Sequence, residues 1–349
     1  MNVLIYSDVH FSQDSSIVRS MGEKYSTRLE YLIKSLNWAE ELAEKEHCFY
    51  VFNLGDMFDK SNLNAQELTA LQEVKWSNKP HYILVGNHDS NVNSLQYSSS
   101  EIFKSLNVFG NDKFHVISEP TMFCNNGTFS QFLLLPYITE DSRKNLKEYC
   151  KWNDYERKVI LSHNDIKGIQ LGKFVSQDGF DIKDIEDSCE LFLNGHLHNS
   201  SYITDKILNV GNLCGMNFSE DGFKYSHGCW ILDTETLKLT FYENPYSLNF
   251  YKIEINEQNP SLSSYDIGSN ACLMIKCERT YVERLKEELN NRKDIVASKI
   301  IIYDQNIVNN TETNVKIEKV DYLKTFSDFI VDKLGNSDII NNELNEICK

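Results

Sequence analysis

The feature that most limits what this chain can fold into is a repeated pairing of short apolar runs with polar clusters. The runs at 3–6, 49–54, 82–85, 159–161 and 191–193 are too short for helices and rich in β-branched or aromatic residues. That pattern predicts buried strands. Each run leads directly into a polar cluster. In chain order these are Ser7-Asp8-Val9-His10, Gly55-Asp56-Met57-Phe58-Asp59, Gly86-Asn87-His88-Asp89, Ser162-His163-Asn164-Asp165 and Asn194-Gly195-His196-Leu197-His198. Ligands of open α/β sheets gather at the carboxyl ends of strands, so five such ends can converge on one place. Between the first two strands, Leu29, Leu32, Ile33, Leu36 and Leu42 recur at helical spacing, predicting an amphipathic helix. Segments 122–135 and 203–242 read as hairpins, the first around an Asn126-Gly127 turn. Residues 1–245 thus alternate strands and helices, the pattern of an α/β or α+β sandwich.

Five of the nine histidines, His10, His88, His163, His196 and His198, fall within these clusters. Taken singly, each cluster has an ordinary explanation. An Asp-x-His after a strand is usually a cap or a turn, Gly-Asp is a common turn, and a lone strand-end histidine is usually a satisfied one. Gly86-Asn87-His88-Asp89 is more specific, because turn chemistry rarely requires a histidine there. All five together, in order and each after a strand, point to a site for two metal ions. Hydrolysis of a phosphate ester requires neutralised phosphate oxygens, a nucleophile at neutral pH and support for the leaving oxygen, and two ions about 3.5–4 Å apart provide all three. The donors are nitrogen and oxygen without thiolate, which suits manganese, iron or zinc.

Composition narrows the class further. The formal charge of −16 argues against a protein that coats nucleic acid by bulk attraction. It leaves a polyanionic substrate open, since acidic ligands become locally positive once they hold divalent ions. No apolar run approaches the roughly 20 residues that span a bilayer, and the N-terminal strand lacks a signal peptide's basic region. Nine scattered cysteines with no C-x-x-C pair read as reduced thiols of a cytoplasmic protein.

The ordered set D-x-H, G-D-x-x-D, G-N-H-D, a lone His and G-H-x-H, across residues 7–198, resembles the calcineurin-like metallophosphoesterase superfamily. The resemblance implies a four-layer β-sandwich flanked by helices and two divalent ions, with Mn2+ expected. It places Asp8, His10, Asp56 and His198 on one ion and Asp56, Asn87, His163 and His196 on the other, Asp56 bridging. It makes His88 the residue that contacts the scissile phosphate and protonates the leaving oxygen, Asp89 the residue that orients His88, and Asp59 a support for His10. Within the superfamily, Lys60-Ser61 after the second motif and Asp89 closing the third differ from the protein phosphatase branch. Asp59 is not the iron-binding tyrosine of the purple acid phosphatases. The set is most similar to the SbcD-type DNA nucleases, including the bacteriophage recombination endonuclease subunit.

Near Asn244-Pro245 the pattern changes. Strands are expected at 250–255, 271–277 and 296–303 and a helix at 281–290, a small α+β unit (246–304) that resembles a DNA-capping domain. Its stretch 271–300 carries seven Lys or Arg against five Asp or Glu, reversing the sign of the whole chain. A polar linker follows, then an apolar stripe, Val320, Leu323, Phe326, Phe329, Ile330 and Leu334, at helical spacing. The resemblance implies that residues 305–349 are a linker and a helix that docks on an SbcC-type coiled-coil ATPase, in a heterotetramer built on a dimer of this chain. The expected activity is exonucleolytic on duplex ends and endonucleolytic on single strands. The rivals are a small-molecule or phosphoprotein phosphoesterase and a non-catalytic DNA tether.

Overall fold

The five apolar runs become central strands of two six-stranded sheets. In spatial order the first sheet is Leu239–Glu243, Gly228–Asp233, Asn2–Tyr6, Tyr50–Asn53, His81–Leu84 and Phe114–Ile117. The second is Ser201–Thr204, Ile207–Asn209, Leu191–Asn194, Arg157–Ser162, Ser130–Leu135 and Thr121–Cys124. Four adjacent strands of each sheet run parallel, so their carboxyl ends, with the polar clusters, lie along one edge. The computed structural model describes residues 1–303 apart from 16, 19, 92–93, 108–111, 125–129, 154–156 and 172–173. The expected Asn126-Gly127 turn and the linker and helix of 305–349 lie outside the described residues.

Strand alternation decides which side chains go where. Val3 and Ile5 join Val159, Leu161, Leu191 and Leu193 in a core between the two sheets. Leu4 and Tyr6 face the other way, into a core shared with Leu29, Leu32, Leu36 and Ala39 of the helix Thr27–Lys45. Ile160 and Phe192 turn outward from the second sheet to meet Ile185 of the helix Ile182–Ser188. The order of layers is therefore helix, sheet, sheet, helix, the mixed α/β arrangement expected. The long helix begins where it does because the Ser26 side chain accepts a hydrogen bond from the Leu29 amide, which satisfies a donor the helix itself cannot.

Asn249–Ile255, Ala271–Glu278 and Ile295–Tyr303 form a third, wholly parallel sheet. One face packs Tyr251, Ile253, Leu273 and Ile275 against Leu285 of the helix Val282–Asn291. The other face sends Phe250 and Cys272 into the core that holds the helix Thr27–Lys45. Residues 1–303 consequently form one compact unit. Among the described residues no helix is long and apolar enough to cross a membrane, and the described cysteines are free.

Candidate metal centre

The loops after the strands are fastened to one another by backbone hydrogen bonds. The amides of Asp8, His10 and Phe11 donate to the carbonyls of Gly55, Asp56 and Met57 at 3.1, 3.0 and 2.9 Å. Asp8, His10, Asp56 and His196 all have positive φ, at 50, 46, 48 and 77°. That conformation is uncommon outside glycine, and it clusters where function holds it in place. Glycine is needed at Gly86, where an added Cβ would overlap the Asp56 carboxylate and amide. It is needed again at Gly195, where the Cβ would overlap Ser7 Oγ.

These constraints bring two sets of acceptors together. In the first, His198 Nδ1 lies 2.8 Å from Glu220 Oε1 and His10 Nδ1 lies 3.2 Å from Asp59 Oδ1. A carboxylate so placed favours the proton on Nδ1, which leaves Nε2 as the nitrogen with the lone pair. Those two Nε2 atoms face each other at 3.0 Å, with Asp8 and Asp56 Oδ atoms 4.0 and 3.9 Å from His10 Nε2. Nitrogens this close need a proton on one of them or a metal cation between them. In the second set, His163 Nδ1 donates to the Leu54 carbonyl at 2.7 Å. Its Nε2 then faces Asp56 Oδ2 at 3.2 Å and Asn87 Oδ1 at 3.1 Å. His196 is held at Nε2 by Asp165 Oδ1, 3.1 Å away, and turns Nδ1 to Asn87 Oδ1 at 2.9 Å. The groups Asp8-His10-His198 and Asp56-His163-His196 each present ligand atoms close enough to share an ion. The donor set therefore fits two divalent cations, with Asp56 between them.

Electrostatics agree. Burial disfavours charge on Asp56, but His163 overrides it and holds the carboxyl below the usual range. Burial likewise opposes protonation of His163, and Asp56 outweighs it to raise the imidazole to about 9. The pull that holds a proton there acts on any cation.

His88 is the exposed member, its side chain 43% accessible. Its amide donates to Asp56 Oδ1 at 2.9 Å, and its Nδ1 lies 3.2 Å from the Asp59 carbonyl oxygen. The ring stands edge-on to His10, with centroids 4.8 Å apart. Asp89 departs from expectation, because it does not orient His88. It is fully buried and accepts the Phe58 amide at 2.9 Å and the Gly86 amide at 2.8 Å. Burial, with Asp56 nearby, pushes its carboxyl up to about 7 despite these bonds. Consecutive side chains at a strand-end turn point opposite ways, so Asp89 ties the second motif to the third while the Asp59 carbonyl meets His88.

Sequence reasoning missed Glu220 and gave Asp165 no role. Glu220 is 2% exposed and also accepts the Met216 amide at 2.7 Å and Asn212 Nδ2 at 3.2 Å. It lies 22 residues beyond His198 in a loop without regular structure, so no spacing pattern could reveal it. Asp165 stood in the fourth cluster, and its nearness to His163 in sequence concealed its bond to His196.

A sandwich whose parallel strand ends hold two acceptor sets around one carboxylate defines the class of dimetal phosphoesterases. The sequence profile of the calcineurin-like phosphoesterase family matches residues 1–200, and the chain belongs to that family. Its members use two divalent ions, and phosphoester hydrolysis is this chain's chemistry. Comparison with curated protein sequences finds no match. Among solved structures the chain is similar to the protein TT1561 of Thermus thermophilus, at 12% identity and TM-score 0.42, over 69% of this chain and 98% of that one. It is also similar to an archaeal phosphodiesterase (14%, 0.37, 70% and 99%) and a dimetal phosphatase from Danio rerio (11%, 0.40, 70% and 95%). These likenesses are too distant to bear on the substrate.

Proposed function

We propose that this chain is a metal-dependent DNA phosphodiesterase, the nuclease subunit of an SbcCD-type recombination and repair complex. The observation that carries the reading is the cleft beside the third sheet. A cleft of about 800 Å³ lined by Asn217, Phe218, Lys252, Met274, Ser298 and Lys299 shares Asn217 with a second, lined by Arg28 and Asp59. Two lysines on a sheet that a small-ester hydrolase would not need, in a cleft that adjoins the one at Asp59, suit a polyanionic strand.

Asp8, His10, Asp56 and His198 would hold one ion, and Asp56, Asn87, His163 and His196 the other. Divalent ions held there, manganese being expected, would supply neutralisation of phosphate oxygens and a more acidic water. The chain's own part is to fix that geometry through Asp59, Glu220 and Asp165, and to present His88 to the leaving oxygen. With Nδ1 on the Asp59 carbonyl, Nε2 is the ring nitrogen of His88 left to donate to the leaving oxygen. The partners belonging to this reading are DNA, a coiled-coil ATPase bound through 305–349, and a second copy of the chain.

The test is degradation of end-labelled duplex DNA by the purified chain in manganese and in EDTA, beside His88→Ala. Manganese-dependent loss of DNA, falling by about a hundredfold or more in the variant with both ions still bound, is expected. Hydrolysis of a simple phosphodiester with DNA left intact in manganese would overturn the nuclease assignment for the isolated chain.

A further inference from the structure

Arg28 is placed where nothing local favours it. It occupies the first turn of the helix Thr27–Lys45, where the helix dipole opposes a cation. It is 1% exposed, and a buried charge without a directly paired counter-charge is costly. Its Nη2 donates to the His10 carbonyl at 3.3 Å, while the buried Nη1 has no partner among the described residues. Arg28 lines a cleft of about 520 Å³ with Asp14, Ser15, Asp59, Met216 and Asn217. Neither carboxylate of that cleft hydrogen-bonds it: Asp59 attracts Arg28 through space but sits beside His10 Nδ1 at 3.2 Å, and Asp14 is on Lys60 Nζ at 2.8 Å.

Propping the His10 carbonyl would require only a neutral donor. A buried guanidinium with an unsatisfied nitrogen, lining a cleft that also reaches Asp59 beside His10, describes a phosphate site. We propose that Arg28 is an anion-binding residue and that its cleft takes the phosphodiester next to the scissile one. This rests on the nuclease reading, and it places a strand's path from the ions past Arg28 and Asn217 toward Lys252 and Lys299.

The experiment compares kcat/KM on a tetranucleotide, which has neighbouring phosphates, with that on a p-nitrophenyl phosphodiester, which has one. Wild type, Arg28→Gln and Arg28→Lys are assayed as full chains in manganese, with thermal melting to confirm folding. Arg28→Gln is expected to lose at least about tenfold more on the tetranucleotide than on the ester, chiefly in KM, with Arg28→Lys recovering part. Equal losses on both substrates would mean that Arg28 acts only through His10, and no loss on either would mean that its cleft binds no phosphate. Either result overturns the inference and leaves the nuclease reading standing. A wild type that hydrolyses the ester and not the tetranucleotide removes both.

Discussion

A ligating imidazole needs its second nitrogen held, and Glu220 and Asp165 do this separately for His198 and His196. Burial works against the charge on Glu220, but the hydrogen bond from His198 and the neighbouring histidines keep its pKa below the usual glutamate value. Removing such a support typically weakens metal binding about 10–100-fold. Glu220→Gln should therefore weaken one of the two metal sites by that factor, and Asp165→Asn the other, as read by isothermal titration calorimetry with a divalent cation. Both variants weakening both ions equally would show that the sites are not separately anchored. His88 and Asp89 make a related point. They are neighbours in sequence, yet the turn sends one outward to 43% exposure and the other into the interior.

At the scale of elements, the site is a junction of loops rather than the property of any one of them. Gly86 has no side chain because the second motif passes against it. Gly86→Ala should push Asp56 out of place and remove binding of both ions, measured by calorimetry, with the far-ultraviolet circular dichroism retained. Gly168 is the control. It has φ +84° but nothing within 4 Å of an added Cβ, so Gly168→Ala should cost only about 1 kcal/mol of stability and leave metal binding intact. An unimpaired Gly86→Ala would contradict the close approach of the two loops.

Across the whole molecule, stability depends on polar pairs buried well away from the site. Glu40, on the helix Thr27–Lys45, is 1% exposed and lies 3.0 Å from His81 Nε2, with Ser77 Oγ donating at 2.7 Å. Burial opposes its ionisation, but the charge and hydrogen bond of His81 and the bonds from Ser77 win, so its pKa is lowered from 4.5. A depressed carboxylate stabilises the fold fully above the unfolded pKa and loses that contribution as pH falls through the folded one. Glu40→Gln should cost about 3–5 kcal/mol at neutral pH. The gap between wild type and variant in denaturant melts should close as pH drops below 4.5. A gap that stays constant down to about pH 3 would mean that the ionised carboxylate contributes nothing.

The sequence by itself determined the strands, the first long helix, the third sheet and the places where histidine, aspartate and asparagine follow a strand. Periodicity of two or of 3.6 is a local property, and it survives in one dimension. It also showed the family, because ligands at strand ends need fixed residue types at fixed offsets. Only the tertiary structure decided the rest. It assigned Asp89 to the Phe58 and Gly86 amides, brought Glu220 to His198 across a loop, turned His196 toward Asp165, and buried Arg28 beside the His10 carbonyl. Those facts depend on which way a turn aims its side chains and where a distant segment returns, and neither leaves a mark in residue spacing.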